Sequence, residues 1–204
     1  MNSPAQHDFT PGESAQTRHA LNQLVLRLAA TTFKRSFLPT LVASLCITYF
    51  FIRGVPLVHL SVWIALASGS IALRRGYAIR RLHAAPVDPL PALRNLTILS
   101  GLVGLVHGAV AFVFLPQISV RDQAVVTMIV LCWCAGSIIV GSILSSAYYA
   151  FVTLAALPFA LFWLVYGGDG GAVIAALIVM MFIMLALYTR DAARVLVESF
   201  YLRH

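Results

Sequence analysis

The sequence predicts an all-α polytopic membrane protein, built as a six-helix transmembrane bundle with its N- and C-termini in the cytoplasm. Hydrophobic residues make up 60% of the chain and charged residues only 10%, whereas soluble domains carry about 25% charged residues. The apolar runs are continuous over about 17 to 21 residues, which fits membrane helices and not the alternating strands of a barrel. Because lipid offers the backbone no hydrogen-bond partners, such runs are expected to be helical.

Two segments precede the first apolar run. Residues 1–13 are polar, contain proline and glycine, and are predicted to form a disordered tail. Residues 14–35 follow as a basic amphipathic juxtamembrane helix, in which Leu21, Leu24 and Leu28 share one face. We expect this helix to lie on the cytoplasmic membrane surface. A solvated helix with an apolar stripe is the alternative.

The six predicted spans form one membrane domain over residues 36–189, and short polar or turn-forming segments separate them. The longest of these connections is rich in arginine, and Pro86, Pro89 and Pro91 are expected to prevent a long regular helix there. Two serines divide the fourth span from the fifth, and the segment GGDGG is a predicted turn before the last. The spans are predicted at about residues 36–52, 57–73, 96–115, 124–144, 147–166 and 172–189.

The last span passes without proline or glycine into the charged segment TRDAARVLVESFYLRH. The pattern predicts one continuous helix that leaves the bilayer, with residues 190–204 as a cytoplasmic exit helix. A seam with four- and three-residue spacing runs along it and favours a homodimer; its residues are Tyr188, Ala192, Val195, Ser199 and Leu202. In the alternative, the exit helix lies on the membrane through Leu196 and Phe200. The predicted signal-exit residues are Arg190, Val195, Ser199 and Leu202.

The distribution of positive charge predicts the orientation. Twelve of the fourteen lysines and arginines fall on the side that holds both termini, and only Arg53 and Arg121 fall on the other. By the positive-inside rule this places both termini in the cytoplasm of a bacterial inner membrane. The net charge of +7 does not indicate nucleic-acid binding, because the arginines flank apolar spans and form no basic groove with aromatic residues. The lipid bilayer is the expected partner.

His107 is the first candidate for a ligand-binding residue, because an ionisable side chain inside a span is a functional hypothesis by default. The alternative, which we favour, is a neutral imidazole that bonds to a serine or tyrosine of a neighbouring helix. Pro158 is expected to kink the fifth span beside an aromatic cluster that either lines an apolar pocket or fills a packed core. Trp133, Tyr148 and Tyr149 complete the candidate pocket with His107.

No cofactor, metal site or enzymatic activity is predicted. A haem held by His59 and His107 would need both histidines at the same depth, and their positions in antiparallel spans do not match. Met128 and Cys132 share a helix face that could suit a soft metal, but core packing explains them better. The sequence contains no Walker A, HExxH or GxSxG motif.

Small residues mark expected helix contacts. Gly104 and Gly108 form a GxxxG pair in the third span, and Ser137, Gly141 and Ser145 repeat at four-residue spacing in the fourth. Such residues let two helices approach closely in a membrane.

The combination of a basic N-terminal segment, a compact multi-span bundle with short outer loops, and the exit segment TRDAARVLVESFYLRH resembles the N-terminal membrane sensor region of bacterial sensor histidine kinases and diguanylate cyclases. In those proteins a similar ESxxLR stretch leads into a signalling helix and a cytoplasmic catalytic domain. This chain contains no phosphoacceptor helix, ATP-binding domain or GGDEF motif. The resemblance therefore implies only the input half: a dimeric sensor, of the kind used in two-component systems, that moves its exit helix.

The expected function is a membrane-embedded sensory or regulatory module that signals through its last span to a cytoplasmic output of the kinase or cyclase type. The first alternative is a small transporter or channel component, although the spans contain no buried acids for ion coupling. The second is a membrane enzyme that acts on lipids through His83, Asp88 and the arginines near them.

Overall fold

A computed structural model of the chain describes residues 11–83 and 88–201, and every regular element in that part is helical. A short 3-10 helix, Leu115–Gln117, follows the fifth helix. The helices are α1 (Pro11–Arg35), α2 (Phe37–Phe51), α3 (Leu57–His83), α4 (Pro89–Gly108), α5 (Val110–Val113), α6 (Val120–Gly136), α7 (Ile138–Ile143), α8 (Ser145–Tyr166) and α9 (Gly168–Tyr201).

Five helical segments of the described chain are long and apolar enough to cross a membrane. They are Leu57–His83, Pro89–Gln117, Val120–Ile143, Ser145–Tyr166 and Gly168–Val195. The predicted first span corresponds to α2, which is apolar but has only 15 residues. At about 1.5 Å per residue it is roughly 22 Å long, shorter than the hydrocarbon core of about 30 Å.

The outer surface of the bundle is apolar. Large hydrophobic side chains are exposed on each long helix, for example Leu66 on α3, Leu105 on α4 and Leu177 on α9. Soluble proteins rarely expose contiguous apolar surface of this kind, so the surface is consistent with a membrane-embedded protein. The class predicted from composition, an all-α protein with membrane-spanning helices, agrees with this structure.

Helix α8 lies at the centre, and its longest interfaces are with α4 and α9. Two glycines of α4 make the α4–α8 interface close: a Cβ atom added at Gly104 would overlap the Phe151 carbonyl oxygen, and one at Gly108 would overlap the Leu154 carbonyl oxygen. Pro158 lies inside α8 and has no N–H to bond to the Leu154 carbonyl. The predicted GxxxG pair therefore packs against the backbone of α8.

The C-terminal half of α1 is covered by protein. Ala29, Ala30 and Phe33 are buried against side chains from the ends of α3, α4 and α7, whereas Leu24 is exposed. Part of the apolar stripe predicted to lie on the membrane surface therefore packs against the bundle. The helix begins at Pro11, three residues before the predicted start, and residues 1–10 of the predicted tail lie outside the described residues.

The arginine-rich connection differs from its prediction. Helix α3 continues to His83, ten residues beyond the predicted end of the second span. Helix α4 begins at Pro89, where the Asp88 carboxylate accepts a hydrogen bond of 3.1 Å from the Leu90 N–H. Pro89 and Pro91 lie in the first turn of α4, where no intrahelical N–H is needed. They start a helix instead of preventing one, and Pro86 lies outside the described residues.

The fourth predicted span is divided. Ser137 separates α6 from α7, and Leu144, with φ −136° and ψ 81°, separates α7 from α8. The predicted break at Ser145–Ser146 is thus one residue late in the chain, since both serines begin α8. The last helix begins at Gly168, with φ +59°, so most of the GGDGG segment is helical and not a turn. It continues as one helix to Tyr201, through residues 190–201 of the predicted exit segment.

Candidate functional site

A cavity with a volume of about 950 Å³ lies between α2, α6, α7 and α8. We call it the interhelical cavity. The junction of α1 with α2 closes one end, and Arg74 of α3 and Ser100 of α4 reach into it. Its rim contains exposed apolar side chains from three helices, Val42, Met128 and Ile139. The cavity therefore opens sideways, onto the apolar outer surface of the bundle.

Aromatic residues from α6 and α8 form one wall of the interhelical cavity. Trp133 and Phe151 pack edge to face with their ring centroids 4.8 Å apart. Tyr148 is buried, and its hydroxyl lies 3.4 Å from the Cys134 carbonyl oxygen, to which it donates. Two of the residues predicted for a ligand pocket, Trp133 and Tyr148, therefore line the same cavity.

His107 lies behind this wall and is fully buried. Its Nδ1 is 2.8 Å from the Val103 carbonyl oxygen, and its Nε2 is 2.9 Å from Ser44 Oγ on α2. A carbonyl only accepts, so Nδ1 carries the proton and Nε2 is an acceptor; the Ser44 hydroxyl lies between Nε2 and the Thr40 carbonyl oxygen, 3.0 Å away, and shares its one proton between them. Trp133 and Trp63 pack against the ring with centroid distances of 4.6 and 5.7 Å. Both nitrogens are used within the bundle, so His107 is placed as a link between helices and not as a cavity residue.

Tyr149 faces away from the cavity, toward the last helix. Its hydroxyl donates a hydrogen bond of 3.1 Å to the Ala186 carbonyl of α9. One turn further along α9, Thr189 is buried against Gly141 of α7, where an added Cβ would lie 2.7 Å from the threonine Cγ2 and 2.9 Å from the ring of Tyr148. Of the two adjacent tyrosines of α8, Tyr148 thus lines the cavity and Tyr149 contacts α9, the helix that continues into the predicted exit segment.

Arg74 is the residue of the cavity that sequence reasoning missed. Only 6% of its surface is exposed, and its guanidinium lies over the Phe33 ring, 5.0 Å from the centroid. In the part of the chain that the structure describes, the one ion pair joins Arg194 and Asp191. No carboxylate there pairs with Arg74. The helical spacing of Trp63, Ala67, Ser70, Ile71 and Arg74 on the buried face of α3 is the signal that would have placed it inside.

Ser100 is the second polar group of the cavity that lacks a partner. It is 1% exposed, and its Oγ makes no hydrogen bond within the described residues. A buried hydroxyl without a partner costs about 1–3 kcal/mol. Among the polar groups that line the cavity, Arg74 and Ser100 thus lack a hydrogen-bond partner within the described residues, whereas Thr40, Ser137 and Tyr148 donate to backbone carbonyls.

The structure describes three of the four predicted signal-exit residues. Arg190 and Val195 are exposed, Ser199 lies within α9, and Leu202 lies outside the described residues. Arg194 pairs with Asp191 at 3.9 Å, and both side chains are exposed, so this ion pair adds little stability.

Metal ligands are not clustered in the part of the chain that the structure describes, where no group of three or more His, Cys, Asp or Glu side chains occurs. His59 is exposed on α3, while His107 is buried and fully hydrogen bonded. Cys132 and Met128 both line the interhelical cavity, and Cys134 is buried on another face of α6.

No family model matches the chain, and no curated protein and no solved structure is significantly similar to it. Any function assigned to the site consequently rests on the geometry of these helices.

Proposed function

We propose that the protein is a sensory or regulatory module of a bacterial inner membrane, which transmits a signal through its last helix to a cytoplasmic output of the kinase or cyclase type. The observation that carries the proposal is the path from the cavity to the exit helix. Tyr148 lines the interhelical cavity, Tyr149 bonds to the backbone of α9, and α9 then runs without interruption to Tyr201.

In the proposed mechanism a ligand in the cavity changes the packing of Trp133 and Tyr148. Because Tyr148 and Thr189 both pack against Gly141, a shift of the tyrosine ring moves α9 relative to α7. The ligand must bind one packing more tightly than the other, since only differential affinity shifts a conformational equilibrium. A difference of 1.4 kcal/mol would change the ratio of the two states about tenfold.

The proposal includes six spans, with α2 as the first, both termini in the cytoplasm, and a homodimer. The positive-inside distribution supports the orientation. Exposed side chains on the predicted dimer seam, Tyr188 and Val195, support an interface along α9. A short α2 can be accommodated by local thinning of the bilayer.

The experiment that tests this function is a phase scan of the exit helix. The chain is fused after His204 to the dimeric core of a sensor kinase, and one to seven residues are inserted after Arg190. Each inserted residue rotates the following helix by about 100°. We expect kinase output to rise and fall with helical periodicity: two insertions invert it, and seven, which restore the phase to within roughly 20°, recover it.

A control variant replaces Ala192 and Ala193 with glycine, which weakens the helix without changing its phase. Output in that variant should lose its dependence on insertion length. If output instead falls steadily with length, or does not change, α9 is a tether and the signalling role is wrong.

The alternative is a small transporter or channel component. A transporter needs a polar path across the bundle. The interhelical cavity opens to one side only, and Arg74 is the one buried charged side chain among the described residues, so these features support the alternative only weakly. Uptake of neutral solutes into liposomes that contain the purified protein would establish the alternative.

A further inference from the structure

We propose that the interhelical cavity binds an anionic membrane lipid, with the headgroup phosphate at Arg74 and an acyl chain along the apolar wall formed by α2, α6 and α8. This assignment rests on the proposed function, since it names the signal that the module receives, but binding can be measured without any signalling output.

The electrostatics of the cavity favour an anion. Two arginines, Arg35 and Arg74, line it, and no aspartate or glutamate does. Burying a charged group without a counter-charge is costly, and Arg74 has neither a carboxylate partner nor a recorded hydrogen bond within the described chain. A phosphodiester would supply the missing negative charge and accept charge-assisted hydrogen bonds from the guanidinium fork.

The shape and the walls favour a lipid over a soluble anion. The cavity volume of about 950 Å³ is far larger than an inorganic phosphate requires and is near the upper end for small-molecule sites. Most lining side chains are apolar or aromatic, and the rim residues Val42, Met128 and Ile139 are exposed on the outer surface. An acyl chain can enter sideways from the bilayer through this rim, without crossing water.

The depth of the charged end also fits a lipid headgroup. Arg35 is the last residue of α1, directly after Lys34, and Arg74 begins the basic final third of α3, where Arg75 and Arg80 follow. In the proposed orientation this is the cytoplasmic side, whose leaflet holds anionic lipids in many membranes.

The test uses short-range fluorescence quenching of Trp133, which lines the cavity. The full chain carries Trp63→Phe and Trp163→Phe, so that Trp133 is its single tryptophan, and is reconstituted in phosphatidylcholine vesicles. Increasing fractions of dibrominated phosphatidylglycerol or dibrominated phosphatidylcholine are then added. We expect the anionic lipid to reach half-maximal quenching at a roughly tenfold lower mole fraction, in line with a charge-assisted contact.

Arg74→Gln should abolish this preference, whereas Arg74→Lys should keep most of it. Arg75→Gln is the matched control, because Arg75 is the adjacent cation, stacks on Phe37 with 4.3 Å from its guanidinium to the ring centroid, and does not line the cavity. Equal quenching by the two lipids, or an unchanged preference in Arg74→Gln, would overturn the assignment. If millimolar inorganic phosphate removes the preference, the site binds a soluble anion and the lipid assignment is wrong.

A second pair of variants keeps the test decisive where Arg74→Gln does not fold. Gly136 lines the cavity, and a Cβ there meets no atom within 4 Å, so Gly136→Phe should fill the cavity and weaken quenching by both bromolipids at least threefold. Gly69→Phe is the control, because Gly69 is exposed on α3 with equally open surroundings. Equal quenching in both variants contradicts binding in the cavity. Loss of periodicity in the phase scan would overturn the signalling role and leave this binding result intact.

Discussion

The close contact of α4 with α8 gives a stability prediction of definite sign. In Gly108→Ala the new methyl group would overlap the Leu154 carbonyl oxygen and lie 3.0 Å from Pro158 Cγ. Neither neighbour can turn away, because one is backbone and the other is a proline ring. Overpacking of this kind costs about 1–3 kcal/mol, and the overlap with backbone places the cost at the upper end. Helix propensity returns about 1 kcal/mol for replacing glycine by alanine, so the net loss should be about 2 kcal/mol.

The control is Gly69→Ala on α3, where an added Cβ has no atom within 4 Å. That variant should gain up to about 1 kcal/mol from helix propensity alone, so the two variants should differ by about 3 kcal/mol.

The assay is reversible unfolding of the purified chain in mixed micelles, titrated with a denaturing detergent and followed by circular dichroism. Both variants are compared with the parent at the same micelle composition. A free energy of unfolding for Gly108→Ala equal to that of Gly69→Ala would refute the reasoning, since it would mean that α4 and α8 do not approach as closely as described.

Three further variants test single hydrogen bonds by the same unfolding assay. Ser44→Ala removes the hydroxyl that donates to His107 and should cost about 1–3 kcal/mol, because it leaves a buried ring nitrogen without a partner; an unchanged stability would exclude this link. Ser119→Ala removes the side-chain N-cap of α6 and should cost about 0.5–2 kcal/mol, whereas Ser36→Ala, at a position with no side-chain cap bond, should cost less; equal losses would contradict the capping role. Tyr149→Phe removes the bond to α9 and should cost about 0.5–1.5 kcal/mol, and in the kinase fusion it should also change basal output, a result that a loss of stability alone would not give.

The continuity of the last helix was predictable because it depends on local chemistry. From Ala172 onward the sequence contains no proline or glycine, and alanine, leucine, methionine and arginine favour helix in lipid and in water alike. The same reasoning missed the break at Ser137, where α6 and α7 separate inside a continuous apolar run. It placed the break at Leu144 to within one residue, because the two serines that follow interrupt the apolar pattern.

The extension of α3 was missed because the arginines were read as a polar connection. Hydropathy ends the span at Leu73, but arginine is a good helix former, and the helix keeps its hydrogen bonds to His83. Positive charge marks where a membrane ends and carries no information about where a helix ends.

The candidate site was predictable only in part. Trp133 and Tyr148 were identified from an aromatic cluster beside a proline, and both line the interhelical cavity. His107 was identified because an ionisable residue is rare inside a span. Its hydrogen bond to Ser44 of a neighbouring helix matches the favoured interpretation, in which the imidazole links two helices. Arg74 was assigned to the cytoplasmic positive charge as a group, because composition does not distinguish a buried arginine from the half-buried Arg75 and the exposed Arg80.

The single left-handed residue of the described chain, Gly168, has a mechanical consequence. It forms the junction of α8 with α9, and α9 is then held by neighbours along one side only, chiefly α7 and α8. With 34 residues and a rise of about 1.5 Å per residue, α9 is a rigid lever roughly 51 Å long with its pivot at its N-terminal end. A tilt of roughly 5° at that pivot would move Ala186, about 27 Å along the helix, through about 2.4 Å and Tyr201 through about 4 Å, so a displacement beside the tyrosines nearly doubles at the far end.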